Sequence, residues 1–114
     1  MAEFDQQPAH SRQDAFEALT RRRRVLADVA TADRRVQVQL TQLNRESDRL
    51  RQQRRRATEA SDTALCESID RALTLCRQDI RGLEADRTVA AQTMAQATSE
   101  IVRLQAHIEA KGWG

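Results

Sequence analysis

The stretch that decides the fold is Cys66–Ile108, which reads CESIDRALTLCRQDIRGLEADRTVAAQTMAQATSEIVRLQAHI. Apolar residues recur in it at alternating steps of three and four, and Arg87 is the only charged residue in this seam. A period of 3.5 residues keeps one narrow stripe of a helix facing a partner helix, whereas a strand would need a period of two. We therefore predict one long helix of a coiled coil.

A second heptad pattern runs from residue 12 to 56, a segment without Gly or Pro. Its seam is less regular, because Arg22, Asp33 and Ser47 occupy apolar positions of the frame. The frame that begins at Cys66 runs five residues late relative to this one, whereas coiled coils usually absorb insertions of three or four. We therefore expect a turn between two separate helices.

The predicted fold class is all-α, a long two-helix antiparallel coiled-coil hairpin. It comprises a flexible arm at 1–11, a single domain at 12–111 (helix 12–56, turn at about 57–62, helix 63–111) and a tail at 112–114. Short polar side chains that could cap the helices are Ser11, Asp14, Ser61 and Asp62. Because the expected turn contains no Gly, a single long helix in a parallel dimer is the alternative. Gly112 is suited to the left-handed residue that ends the second helix.

Two antiparallel registers keep both seams facing each other. The numbers of facing residues sum to about 116 in one, which pairs Leu50 with Cys66, and to about 123 in the other, which pairs Leu19 with Leu104. In both, Asp33 and Arg87 lie one layer apart. We predict a salt bridge between them that fixes the register, because slippage would leave each charge alone in the interface. The alternative is that each side chain reaches solvent separately.

The composition argues against an enzyme. Aromatic residues make up 3% of the chain and charged residues 32%, and Gly and Pro together number four, which suits long helices rather than a thick core. No phosphate-binding loop, zinc motif or catalytic cluster is present, so we expect no enzymatic activity, no cofactor and no metal. No membrane span and no secretory signal are expected. Cys66 and Cys76 fall on the seam and are interpreted as reduced thiols of a cytoplasmic protein.

Two arginine clusters and one aromatic residue are the candidate partner-binding sites. Four consecutive arginines begin at Arg21, and the second cluster lies near the expected turn and comprises Arg49, Arg51, Arg54, Arg55 and Arg56. Arginine binds carboxylates and phosphates in a bidentate manner, so an acidic protein surface and nucleic acid are both candidate partners, with a solvated helix face as the alternative. Trp113 either anchors a partner or, together with Phe4 and Phe16, closes the open end of the hairpin. The partner-binding residues selected are Arg21, Arg23, Arg24, Arg54, Arg55, Arg56 and Trp113.

The run Arg21-Arg-Arg-Arg-Val-Leu-Ala-Asp-Val and the arginine- and glutamine-rich segment from Gln37 to Arg56 resemble the FliJ/YscO-like small coiled-coil stalk proteins of type III secretion and flagellar export. The resemblance covers residues 12–110 and implies an antiparallel two-helix coil that inserts into a hexameric export ATPase, promotes its activity and contacts the export gate. No individual contact residue is carried over from it.

Two classes of function follow from these observations. The first is a non-enzymatic coiled-coil adaptor or stalk that binds protein partners, with the central stalk of an export ATPase as its most specific form. The second is a small nucleic-acid-associated coiled coil that uses its arginine clusters, although no aromatic residue is interleaved with them for base stacking. The outer helix faces are polar, so a monomer or weak homodimer is expected.

Overall fold

The computed structural model describes residues 11–114, and the predicted N-terminal arm therefore lies outside them apart from Ser11. Two helices make up this part of the chain: α1 spans Arg12–Glu59 and α2 spans Thr63–Ala110. They pack against each other in antiparallel directions, so the prediction of an all-α helical hairpin is confirmed. The alternative of one continuous helix is wrong, because the chain reverses direction after Glu59.

Each helix is preceded by a residue that was predicted to cap it. The hydroxyl of Ser11 accepts a hydrogen bond from the backbone N–H of Asp14 at 3.1 Å. The carboxylate of Asp62 accepts one from the backbone N–H of Leu65, also at 3.1 Å. Each bond satisfies an amide of the first helical turn that has no partner within the helix.

The turn is shorter than predicted, because α1 continues three residues past Arg56. Ala57 extends the heptad seam and is 3% exposed, so burial favours the additional helical turn. Ser61 then adopts a left-handed backbone with φ 54°. The N–H of Asp62 bonds to the carbonyl of Ala57 at 2.9 Å, and that of Ser61 to Thr58 at 3.0 Å. This is the Schellman arrangement of a helix end, made here without glycine.

The second helix ends in the same arrangement, with glycine at the left-handed position. Gly112 has φ 67°, and the N–H of Trp113 bonds to the carbonyl of Ile108 at 3.0 Å. The last helical residue is Ala110, one residue before the predicted end. The cap turns Trp113 back onto the helix, where it packs beside Ile108.

The packing divides into two compact units, each with segments of both helices. The turn-side unit comprises residues 33–88, and the terminal unit comprises 11–32 with 89–114. The core of the turn-side unit contains Leu50, Ala57, Ile69, Leu73 and Cys76. The core of the terminal unit contains Ala15, Leu19 and Ile108, with Ile101, Leu104 and Trp113 packed against it. Both cores consist of seam positions or of residues that extend the seam, as the heptad pattern predicts.

The observed register is the one in which facing numbers sum to about 123. In the turn-side unit, the Thr58 hydroxyl lies 3.6 Å from the Cys66 sulfur. In the terminal unit, Leu19 and Leu104 belong to one apolar cluster, as this register requires. Both cysteines are free thiols on the seam.

Candidate functional site

The predicted ion pair across the seam is present in the turn-side unit. Arg87 donates from Nε to one carboxylate oxygen of Asp33 at 3.1 Å, and from Nη2 to the other at 3.4 Å. Gln37 donates to the same carboxylate at 3.3 Å. Asp33 is buried, whereas the Arg87 side chain is 43% exposed. The geometry confirms the salt bridge, and its role in setting the register stays a prediction.

Arg54, selected as a partner-binding residue, is engaged within the chain. Its guanidinium donates two hydrogen bonds to Asp70 of α2, at 2.6 Å from Nε and 3.1 Å from Nη2. These hydrogen bonds are the main reason that the pKa of Asp70 is lowered and the pKa of Arg54 is raised. A bidentate pair of this kind holds the guanidinium against α2. Arg54 therefore belongs to the packing of the hairpin more than to its outer surface.

The four consecutive arginines differ in their surroundings: one contacts the facing helix, and three are exposed. In the terminal unit, Arg22 reaches across the seam and forms an ion pair with the buried carboxylate of Glu100. Arg23 and Arg24 are exposed and form no ion pair within residues 11–114. Arg21 is also exposed, and its side chain lines a surface groove. Three of the four arginines thus face outward, and one stabilises the helix pair.

The groove beside these four arginines is lined by an aromatic ring, by basic groups and by the carboxylate of Glu17. Its volume is about 720 Å³. The guanidinium of Arg12 lies over the ring of Phe16, 4.9 Å from its centroid, a cation–π contact. Phe16 is 36% exposed. Arg23 follows Phe16 by seven residues, which places it on the same side of α1 about two turns further along. We call this surface, made of Arg12, Phe16, Arg21, Arg23 and Arg24, the basic aromatic face.

Trp113 packs inward. It contacts the core that contains Ile108, and its ring meets the ring of His107 edge to face with centroids 5.4 Å apart. Arg12 donates to the backbone carbonyl of Trp113 at 3.1 Å, so the residue that stacks on Phe16 also holds the C-terminal cap. This packing favours closure of the end of the coil over an exposed anchor. The predicted neighbour Phe4 lies outside the described residues.

The arginines near the turn are likewise unequal. Arg55 and Arg56 are exposed and have no ion-pair partner in the described part of the chain, in contrast to Arg54. Arg49 pairs with Glu46 on its own helix, and hydrogen bonding by Arg49 lowers the pKa of Glu46. Only Arg55 and Arg56 of this cluster are therefore available to a partner without loss of an internal pair.

A second groove, which was not predicted from the sequence, lies in the turn-side unit. Asp79 and Asp86 line it together with Leu43, Leu83 and Gly82, and its volume is about 720 Å³. The available signal was Gly82, a poor helix former in the middle of a helix. The partner of Arg22 was also missed, although the register that sums to about 123 places Glu100 beside it.

Neither a metal site nor a membrane span emerges from the described residues. In residues 11–114, no group of three or more His, Cys, Asp or Glu side chains is placed to hold a metal ion. Neither α1 nor α2 contains a stretch sufficiently long and apolar to cross a bilayer. Several apolar side chains are nevertheless exposed, which is consistent with a binding surface. They are Phe16, Val25, Val38, Leu65, Leu75, Val89 and Val102.

Comparison with known proteins gives no family assignment. No protein-family model, curated protein or solved structure matches the chain significantly. The helical hairpin is thus the level of classification that the findings support.

Proposed function

We propose that this protein is a non-enzymatic coiled-coil adaptor or stalk that binds a protein partner, and that its most specific form is the central stalk of a type III secretion export ATPase. The observation that carries the proposal is the basic aromatic face, where Arg23 and Arg24 form no ion pair within residues 11–114 and Phe16 is exposed. Aromatic side chains, phenylalanine among them, and arginine are enriched at the cores of protein interfaces. The resemblance to export stalk proteins suggests a hexameric export ATPase as the partner.

The chemistry of this face suits an acidic protein surface. A partner carboxylate can accept two parallel hydrogen bonds from a guanidinium, and an apolar partner side chain can cover the Phe16 ring. Arg12 already occupies one side of that ring and is tied to the Trp113 carbonyl. The ring is therefore held in place before a partner arrives, which reduces the entropy cost of binding.

The test is ATP hydrolysis by a purified hexameric export ATPase, with and without this chain. We expect stimulation by the native protein and its loss in the double variant Arg23→Glu/Arg24→Glu. The matched control is Arg71→Glu/Arg81→Glu, which makes the same change in net charge at exposed arginines of α2 that form no ion pair in the described part of the chain. Equal stimulation by both double variants would remove the basic aromatic face from the proposal. No binding and no stimulation by the native chain would remove the export stalk.

The nucleic-acid alternative rests on Arg55 and Arg56, and a gel retardation assay with duplex DNA at physiological salt tests it. The useful variant is Arg55→Gln/Arg56→Gln, because it leaves the Arg54–Asp70 pair intact. A retarded band that this variant abolishes would support nucleic-acid binding. No retarded band with the native chain would exclude duplex DNA as the partner of this cluster.

A further inference from the structure

The groove in the turn-side unit has two carboxylates on its α2 side that are unpaired within the described residues, and open space between them. Asp79 and Asp86 line it and form no hydrogen bond or ion pair through their side chains within residues 11–114. They are seven residues apart, so they lie on the same side of α2 and about 10 Å apart along its axis. Gly82 lies between them, and a Cβ added there would meet nothing within 4 Å. We call this surface the acidic groove.

The outer side of α1 in the same unit carries positive charge around an exposed apolar side chain. Val38 is 57% exposed. Arg34 precedes it by four residues and Arg45 follows it by seven, so the three side chains form one stripe along the helix. Both arginines are exposed and form no ion pair in the part of the chain that the structure describes. We call this stripe the basic ridge.

We propose that the basic ridge of one copy of this chain docks into the acidic groove of a second copy. Val38 fills the space over Gly82, where the absence of a side chain lets another helix approach closely. Arg34 lies about one helical turn from Val38, and each groove carboxylate lies about one turn from Gly82, so Arg34 reaches a carboxylate while Val38 is seated. The long side chain of Arg45 reaches toward the other carboxylate.

The charge pattern selects a second copy as the occupant. The groove requires an apolar side chain flanked by cations on one helix face, and the chain itself presents that combination, unused, at Val38. The contact joins two different surfaces, so a bound pair still offers one free groove, on one copy, and one free ridge, on the other. Association therefore continues beyond a dimer, and it depends on salt because its charges are at exposed positions. This inference does not rest on the proposed function.

The experiment is sedimentation of the full chain over a range of concentrations at low and high salt. We expect the weight-average mass to rise above 13.0 kDa with concentration at low salt. Raising the salt from about 50 to about 500 mM should weaken association roughly tenfold or more, because exposed charges are screened. A constant mass of 13.0 kDa up to about 1 mM protein, the limit of very weak binding, would overturn the proposal.

Two variants block the surfaces separately. Gly82→Leu fills the groove and leaves every charge in place, and leucine is a better helix former than glycine. Val38→Glu places a carboxylate between Arg34 and Arg45. Each variant alone should remain monomeric. An equimolar mixture should form a dimer of twice 13.0 kDa that grows no further, because only one functional ridge and one functional groove remain to meet.

The matched control is Val102→Glu, which makes the same substitution at a residue that is 59% exposed and lies in the terminal unit. It should associate like the native chain. Circular dichroism of all three variants verifies that the helices are retained. Self-association by Val38→Glu alone, or a mixture of the two blocked variants that stays monomeric while the native chain associates, would refute the pairing of ridge and groove.

Discussion

The ion pair between Asp33 and Arg87 predicts an unusual pattern of stabilities. Among the described residues, replacement of Arg87 by Leu leaves the buried Asp33 carboxylate with the Gln37 amide as its one hydrogen-bond partner. Breaking a fully buried pair costs about 3–5 kcal/mol. Because the Arg87 side chain is 43% exposed and Gln37 remains, we expect Arg87→Leu to lower the free energy of unfolding by about 2 kcal/mol.

The double variant Asp33→Leu/Arg87→Leu should recover that loss. Two leucines in this layer remove both charges and extend the apolar seam, a change that is often neutral or stabilising by about 1–4 kcal/mol. Urea denaturation at pH 7, followed by circular dichroism, measures all of these free energies, with Asp33→Leu completing the double-mutant cycle. If Arg87→Leu is as stable as the native chain, or the double variant is less stable than Arg87→Leu, the reasoning is refuted.

The same double variant tests whether the pair sets the register. With Cys76 replaced by Ala, Cys66 can be cross-linked to one introduced cysteine at a time. Ala57→Cys faces it when paired numbers sum to 123, and Leu50→Cys faces it when they sum to 116. We expect only the first disulfide to form in the native background and both to form once the charges are removed. Exclusive formation of the first in both backgrounds would show that the apolar seam sets the register without the ion pair.

Three further predictions concern single side chains. Ser61→Gly should raise the free energy of unfolding by about 1 kcal/mol in urea denaturation, since φ 54° at Ser61 is a left-handed conformation that only glycine adopts at little cost; an unchanged or lower stability would contradict this. Ser47→Ala should also stabilise the chain, by about 1 kcal/mol in the same assay, because the buried Ser47 hydroxyl has no hydrogen-bond partner among the described residues; a loss of stability would point to a partner for that hydroxyl. Because Arg54 lowers the pKa of Asp70 in the folded state, the stabilisation from this pair is present above about pH 4 and is lost as the pH falls through the lowered pKa. Thermal unfolding between pH 6 and pH 2 should therefore show a smaller decrease in Tm for Asp70→Asn than for the native chain, and parallel curves would argue against this contribution.

The hairpin and the ion pair between Asp33 and Arg87 were predictable because both depend on the heptad period, which can be read directly from the sequence. The alternation of steps of three and four identified both helices, and the offset between their frames located the reversal. Asp33 and Arg87 were informative because a charge on a seam requires a partner on the facing seam. The choice between the two registers was not predictable, since both kept the apolar positions together.

The exact boundaries and backbone conformation of the turn could not be predicted from the heptad period. The first helix was predicted to end at Arg56, and the offset between the two heptad frames placed the turn at about 57–62. The heptad frame in fact continues to Ala57, whose small side chain was not counted as a seam residue. Ser61 occupies the left-handed position that glycine usually takes at a helix end, and this conformation is unfavourable for serine. The absence of glycine argued against a sharp turn. The turn nevertheless forms, because hydrogen bonds cap the end of α1 and the start of α2.

The arginines illustrate why the partner-binding residues could be predicted only in part. Composition and clustering treat all of them alike, but each pairing is decided by where the register brings a carboxylate. Arg22 meets Glu100, Arg54 meets Asp70 and Arg87 meets Asp33, in each case near the level that the register requires. Exposed arginines such as Arg23 and Arg55 find no carboxylate across the seam within the described residues, because they point away from it. A sequence interpretation that fixes the register first can therefore separate arginines that hold the helices together from those that remain available to a partner.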